Sequence, residues 1–164
     1  MTARSWRSVT STAAETEELG AALAQALPAP GSAPAIVYLS GDLGAGKTTL
    51  ARGFLRGRGF RGAVRSPTYT FLECYDLPGP LAVVHLDLFR LTEPSELESL
   101  GVRELARAGH VWLIEWPERG AGHLPPPDLA IALQVPSSSH ALCATPHSAL
   151  GRAWLHALVE LRRG

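Results

Sequence analysis

The 164-residue chain has no asparagine, and Lys47 is its only lysine; the other fourteen basic residues are arginine. Cysteine is limited to Cys74 and Cys143. Two thiols without a CxxC or paired-histidine spacing make neither a disulfide framework nor a zinc site, which points to a reducing, cytoplasmic compartment. Long apolar runs are also missing. Every stretch stays under about ten residues, against the ~20 that span a bilayer, and the opening residues lack the apolar core of a signal peptide. No membrane partner is expected. An excess of one charge is absent too: Lys plus Arg is 15 and Asp plus Glu is 15. Balanced charge excludes attachment to DNA or anionic lipid by bulk electrostatics, and leaves local basic patches open.

What is present is a globular composition, 46 % apolar and 18 % charged, where a disordered chain would carry less apolar surface to bury. The length suits one domain over residues 1–164, which buries roughly 70 % of its surface without staples. A short strand is expected over residues 5–11. A helix follows from Thr12 to about Leu27, with Thr12 as N-cap, Glu15 completing a capping box, and Leu19, Leu23 and Leu27 on one face. Ala35 to Leu39 reads as a strand buried on both faces, and a helix is expected from about Gly46 to Gly57. Thr68 to Tyr75 and Leu81 to Asp87 read as an antiparallel hairpin. Helical pattern resumes near Glu93 and runs in two pieces to Ala108. Val111 to Glu115 is a buried strand. Leu129–Val135 and Ala141–Thr145 form a second hairpin, and an amphipathic helix carries Leu150, Trp154, Leu158 and Leu161. Strands alternating with helices, with hairpins among them, make an α/β fold with a mixed sheet.

Between the first buried strand and its helix lies Gly41-Asp42-Leu43-Gly44-Ala45-Gly46-Lys47-Thr48, a complete G-x-x-x-x-G-K-[ST] phosphate loop, or Walker A motif. Its glycines let successive backbone N–H groups turn inward on a phosphate chain. The helix that follows adds the positive end of its dipole. Lys47 is placed for the β- and γ-phosphates and the Thr48 hydroxyl for Mg²⁺. That the sole lysine occurs here, in a chain that otherwise uses arginine, sets Lys47 apart from ordinary surface choices.

The missing asparagine bears on the nucleotide. Guanine recognition in the small GTPases uses Asn/Thr-Lys-x-Asp, which this chain cannot build with no Asn and no second Lys, so ATP is the expected ligand. A phosphate loop also needs an acid at the end of a buried strand to hold the magnesium and its water shell. Asp87 and Glu115 each end such a strand, and strand carboxyl ends are where open α/β sheets bind ligands. Ser66-Pro67-Thr68 follows the phosphate-loop helix where a switch loop stands in GTPases. Thr68 reads either as a γ-phosphate sensor or as a plain turn before a strand. His85 on a buried strand reads more readily as a core or supporting residue than as a ligand.

Taken in order, Gly41 to Thr49, Ser66-Pro67-Thr68, His85-Leu86-Asp87-Leu88-Phe89-Arg90 and Ile114-Glu115-Trp116-Pro117-Glu118 resemble the TsaE (YjeE) family over roughly residues 5–135. The resemblance implies a P-loop NTPase-like three-layer α/β sandwich with antiparallel hairpins in its sheet. It also implies a small bacterial ATPase, needed for the threonylcarbamoyl modification of the adenosine next to the tRNA anticodon. Such a protein works with TsaB and TsaD and reaches tRNA through that complex. Carried over by position, Lys47, Asp87, Glu115 and Thr68 are the catalytic set. Thr48, Glu115 and Asp87 are the magnesium set, and ATP and Mg²⁺ are the cofactors. Gly41, Asp42, Leu43, Gly44, Ala45, Gly46, Lys47, Thr48, Thr49 and Trp116 line the nucleotide, with Ser11 or Thr12 near the adenine. Phe89 stands where the family has Tyr. Ser138-Ser139 replaces a Gly-Arg pair in the last hairpin.

Arg52, Arg56, Arg58, Arg61 and Arg65 lie in a stretch without acids, with Arg52 and Arg56 on one helix face. Their charge is either a solvated surface or a contact for tRNA phosphates or an acidic partner. Two other classes of function compete with the ATPase reading. A small-molecule kinase needs an acceptor pocket and an arginine-bearing lid. A non-catalytic nucleotide-binding adaptor needs neither Asp87 nor Glu115.

Overall fold

The computed structural model describes residues 4–29 and 31–164. Seven strands, β1 (Trp6–Thr10), β2 (Ala35–Ser40), β3 (Leu72–Asp76), β4 (Ala82–Asp87), β5 (His110–Glu115), β6 (Leu129–Gln134) and β7 (His140–Pro146), form one sheet in the order β1-β7-β6-β2-β5-β4-β3. The inner four, β6-β2-β5-β4, are parallel. Both edges are antiparallel: the β6–β7 hairpin with β1 on one side and the β3–β4 hairpin on the other. Of these, β2, β4 and β5 are apolar runs covered on both faces, while β6 alternates buried residues with half-buried or exposed ones.

Helices α1 (Ala13–Gln25), α2 (Lys47–Gly57) and α4 (Ala149–Arg163) lie on one face of the sheet. Their Leu19, Leu23, Phe54, Trp154 and Leu158 pack on Val37, Leu39, Leu113 and Ile131. The other face is a thinner layer. There Ile36, Val84, Leu86, Trp112 and Ile114 are covered by Leu97 and Val102, from the one-turn α3 (Glu96–Ser99) and a 3-10 turn over Val102–Leu105. Fully burying one such apolar side chain stabilises by roughly 1.5–3 kcal/mol, so both faces contribute.

Helix α1 starts at the expected cap. Thr12 Oγ1 accepts from Glu15 N at 3.1 Å, and Glu15 returns its carboxylate to Ser11 N at 2.7 Å. It ends two residues before Leu27. Helices α1 and α2 touch through glycine. A Cβ on Gly53 would stand 2.1 Å from Glu17 O, and one on Gly20 would stand 2.2 Å from Leu50 O. That close approach fixes where α2, and so the loop before it, sits on the sheet.

Two expected elements differ. The strand read from Thr68 begins only at Leu72. Phe71 takes a left-handed φ of 66° and donates its N–H to Pro67 O at 2.7 Å. The β-branched Thr68 and Thr70 therefore sit in a turn, because the Thr68 hydroxyl is held by Asp87 instead of by a strand neighbour. The helical pattern from Glu93 yields two single turns that end at Leu105, not Ala108, split by Gly101 at φ 68°.

Candidate functional site

Strand register assembles the site. Leu39 of β2 and Asp87 of β4 both stand opposite Glu115 of β5. The carboxyl ends of three neighbouring parallel strands thus deliver the phosphate loop and both acids to one place. The loop curls through positive φ at Gly41 (143°), Gly44 (79°) and Gly46 (106°). Gly41 is further constrained, since a Cβ there would lie 2.4 Å from Leu133 O. Lys47 opens α2 with its ammonium folded over the loop. Its Nζ donates to Gly41 O at 2.5 Å and Asp42 O at 2.8 Å, and lies 4.3 Å above the Trp116 ring.

A cavity of about 340 Å³ opens over this loop, lined by Gly44, Gly46, Lys47, Thr48, Thr49, Ser66, Thr68, Asp87, Glu115 and Trp116 among others. Asp87 and Glu115 are 4 % and 2 % exposed. Buried carboxylates need donors or a cation, and both have donors. Glu115 accepts from the Thr48 hydroxyl at 2.9 Å and from His85 Nε2 at 2.6 Å. Asp87 accepts from Phe89 N at 3.0 Å, from Thr68 at 3.1 Å, and from Ser66. Ser66 Oγ also lies 3.5 Å from Glu115 Oε2, so the hydroxyl that donates to Asp87 stands between the two acids. Burial lowers the Lys47 pKa, and Glu115, Asp87, Glu118 and Asp42 pull it partly back up.

Trp116 adopts a left-handed φ of 58°, sparsely populated for a non-glycine residue. Its N–H is tied to Leu39 O at 3.2 Å, and its ring meets Phe89 with centroids 4.9 Å apart. Phe89, which lacks the tyrosine hydroxyl, serves here as a packing surface. Leu43 is 70 % exposed at the rim.

The structure brings Lys47, Thr48, Thr68, Asp87, Glu115 and Trp116 together. Thr12 is outside the lining; its hydroxyl caps α1, and Ala13 and Thr16 face the cavity instead. Three contributors were missed in sequence. His140 of β7 lines the cavity and its Nδ1 meets Ala45 O at 2.8 Å, so the last hairpin reaches the loop next to Ser139. Thr16 is buried and bonded to Thr10 at 2.7 Å. Ser66 belongs to the switch-like Ser66-Pro67-Thr68 loop of the sequence, where Thr68 and not Ser66 is the expected site residue. A lone histidine after a serine run carries none.

The donor set is hard oxygen: one hydroxyl and two carboxylates. Among the described residues no group of three or more His, Cys, Asp or Glu forms a metal cage. The hydroxyl and two carboxylates suit Mg²⁺, which takes one or two carboxylates and completes its shell with phosphate and water.

A strand, a glycine loop, a helix N-terminus and two strand-end acids on a parallel sheet define the P-loop nucleotide-binding class. The model of the family described as "Threonylcarbamoyl adenosine biosynthesis protein TsaE" matches residues 10–141. The chain belongs to the TsaE family. It is 51 % identical over 96 residues to the tRNA threonylcarbamoyladenosine biosynthesis protein TsaE of Haemophilus influenzae, covering 58 % of this chain and 60 % of that protein. Identity to the Bacillus subtilis protein of the same name is 37 % over 129 residues, 79 % of this chain and 76 % of that one. The crystal structure of YdiB from Bacillus subtilis superposes with a TM-score of 0.72 at 25 % identity, covering 99 % of this chain and 97 % of that one.

Proposed function

We propose that this chain is a Mg²⁺-dependent ATP hydrolase, acting with TsaB and TsaD to form threonylcarbamoyladenosine next to the tRNA anticodon. The observation that carries the reading is the convergence of Lys47, Thr48, Thr68, Asp87 and Glu115 on one cavity. An adaptor that only binds nucleotide has no use for two buried acids and a hydroxyl loop tied to them. The arginine segment, which in a kinase would serve as a lid, is partly engaged at home. Arg52 contacts Glu17 and Val64 O at 3.4 and 3.3 Å, and Arg56 holds Phe60 O and Gly62 O at 3.1 and 2.5 Å.

Catalysis then rests on positioning and charge. Backbone N–H groups of the glycine loop and of the first turn of α2 cradle the phosphates. Lys47 exchanges its two carbonyl partners for phosphate oxygens and offsets charge as the β–γ bridge breaks. Thr48, Glu115 and Asp87 would hold Mg²⁺, which would supply charge neutralisation at the phosphate oxygens. Asp87, fixed by Phe89 N, Thr68 and Ser66, orients the attacking water. Thr68 closes on the γ-phosphate and so reports which nucleotide is bound.

The test is steady-state hydrolysis by Asp87→Asn and Glu115→Gln. Each is expected to fall by about 10²-fold or more, with ADP binding in EDTA retained. Unchanged turnover in both would remove the acids from the chemistry and leave the adaptor. A phosphorylated small molecule among the products would favour the kinase.

A further inference from the structure

His85 is fully buried, at 0 % exposure, and does not line the cavity. It stands on β4 two residues before Asp87, opposite Leu113 and so diagonal to Glu115 across the β4–β5 pair. Its Nε2 lies 2.6 Å from Glu115 Oε2. Its Nδ1 is buried without a hydrogen-bond partner among the described residues.

This asymmetry fixes the tautomer. With hydrogen on Nε2, the ring donates to the carboxylate and leaves only a bare acceptor at Nδ1, the cheaper kind of unsatisfied group. With hydrogen on Nδ1, a buried N–H would be orphaned, and two acceptors would face each other across the Nε2–Oε2 contact. The Nε2–H form is therefore the one the packing selects.

We infer that His85 is a positioning residue for Glu115, donating from Nε2 to fix how that carboxylate is presented to the metal. The inference rests on the Mg²⁺-ATPase reading. Glu115 Oε2 is drawn toward β4 by His85, with Ser66 at 3.5 Å on the same oxygen. The Thr48 hydroxyl straddles the carboxylate, 2.9 Å from Oε1 and 3.1 Å from Oε2, and so leaves its orientation to His85. Rotation about the last carboxylate torsion, otherwise broad, is stopped from beneath by a side chain that substrate never touches. Partners of this kind behind a metal-facing carboxylate typically change metal affinity by 10–100-fold when removed.

The test compares His85→Gln, whose amide nitrogen falls near the position of Nε2, with His85→Asn, whose shorter amide cannot reach it, and His85→Leu. ADP affinity is measured calorimetrically in Mg²⁺ and in EDTA, with thermal unfolding alongside. The strengthening of ADP binding by Mg²⁺ is expected to fall about tenfold in the Asn and Leu variants and to stay near the unmodified value in the Gln variant. Affinity in EDTA is expected to be the same in all. If Leu proves too destabilising to purify, the Asn–Gln pair decides. A full Mg²⁺ response in His85→Asn, a Gln variant as impaired as Asn, or an equal loss in EDTA would each overturn the inference. An unmodified protein whose ADP affinity ignores Mg²⁺ would instead overturn the ATPase reading, and this inference with it.

Discussion

At the residue scale the chemistry turns on how burial treats charge. Lys47 is buried between two carbonyls and an indole face, and desolvation makes its proton easier to lose than that of an exposed lysine. For a base whose folded pKa is lowered, the sign is definite. The cost of burying the cation is present at neutral pH and disappears as pH rises past the lowered folded value toward the unfolded one. Phosphate works the other way, since its negative charge favours the protonated amine. Nucleotide affinity is therefore expected to weaken with rising pH below the ordinary lysine range of about 10.4. ADP titrations from neutral to alkaline pH check this, and Lys47→Arg, weaker throughout, should lose that slope. Ser66→Ala removes the hydroxyl that stands between the two acids. Turnover is expected to drop about tenfold with ADP affinity little changed, which initial rates and calorimetry separate; tenfold corresponds to about 1.4 kcal/mol, close to the lower end for one hydrogen bond to a charged group. Lys47, Thr48, Asp87 and Glu115 were legible because each sits at a fixed offset in a motif or at the end of an apolar strand. His140 and Thr16 were not, because they come to the loop from β7 and α1 through the tertiary fold and carry no local pattern.

At the element scale the same division holds. The capping box of α1, the two buried strands β2 and β5, and the amphipathic α4 were readable from periodicity and caps. The segment from Thr68 to Phe71 was not. Its β propensity is overridden by the tie between Thr68 and Asp87 and by the Pro67–Phe71 turn. A propensity worth about 1 kcal/mol over its full span is easily outweighed by such contacts. The contact between α1 and α2 was equally hidden, since no local pattern marks Gly20 and Gly53 as the points where the two backbones touch. Gly53→Ala is expected to destabilise by about 1–3 kcal/mol or more, because the new Cβ meets the Glu17 carbonyl and no flexible side chain can yield. Denaturant unfolding measures this. Nucleotide affinity should fall with it, as α2 carries Lys47 and Thr48 at its first turn.

At the scale of the whole molecule, a parallel four-strand centre with hairpins at both edges explains why so small a chain can hold this site. Parallel register puts three strand ends side by side, with the hydroxyl loop between α2 and β3 on one side and His140 of the β6–β7 hairpin on the other. The strand content was legible in sequence, while the strand order, which requires knowing which apolar runs are neighbours, was not. The division of the thinner second layer into two pieces was legible, but not their shortness, because a single turn and a longer helical piece share the same apolar spacing over a few residues. The central claim is that this cavity hydrolyses ATP in the service of a partner assembly. The most direct measurement is ATP hydrolysis by the purified chain, alone and with a purified TsaB–TsaD pair, while threonylcarbamoyladenosine formation on tRNA is followed in the same reactions. The account predicts slow turnover alone, a several-fold rise with the pair, and modification that fails with Glu115→Gln. Hydrolysis unmoved by the pair, or modification undiminished by that substitution, would contradict it.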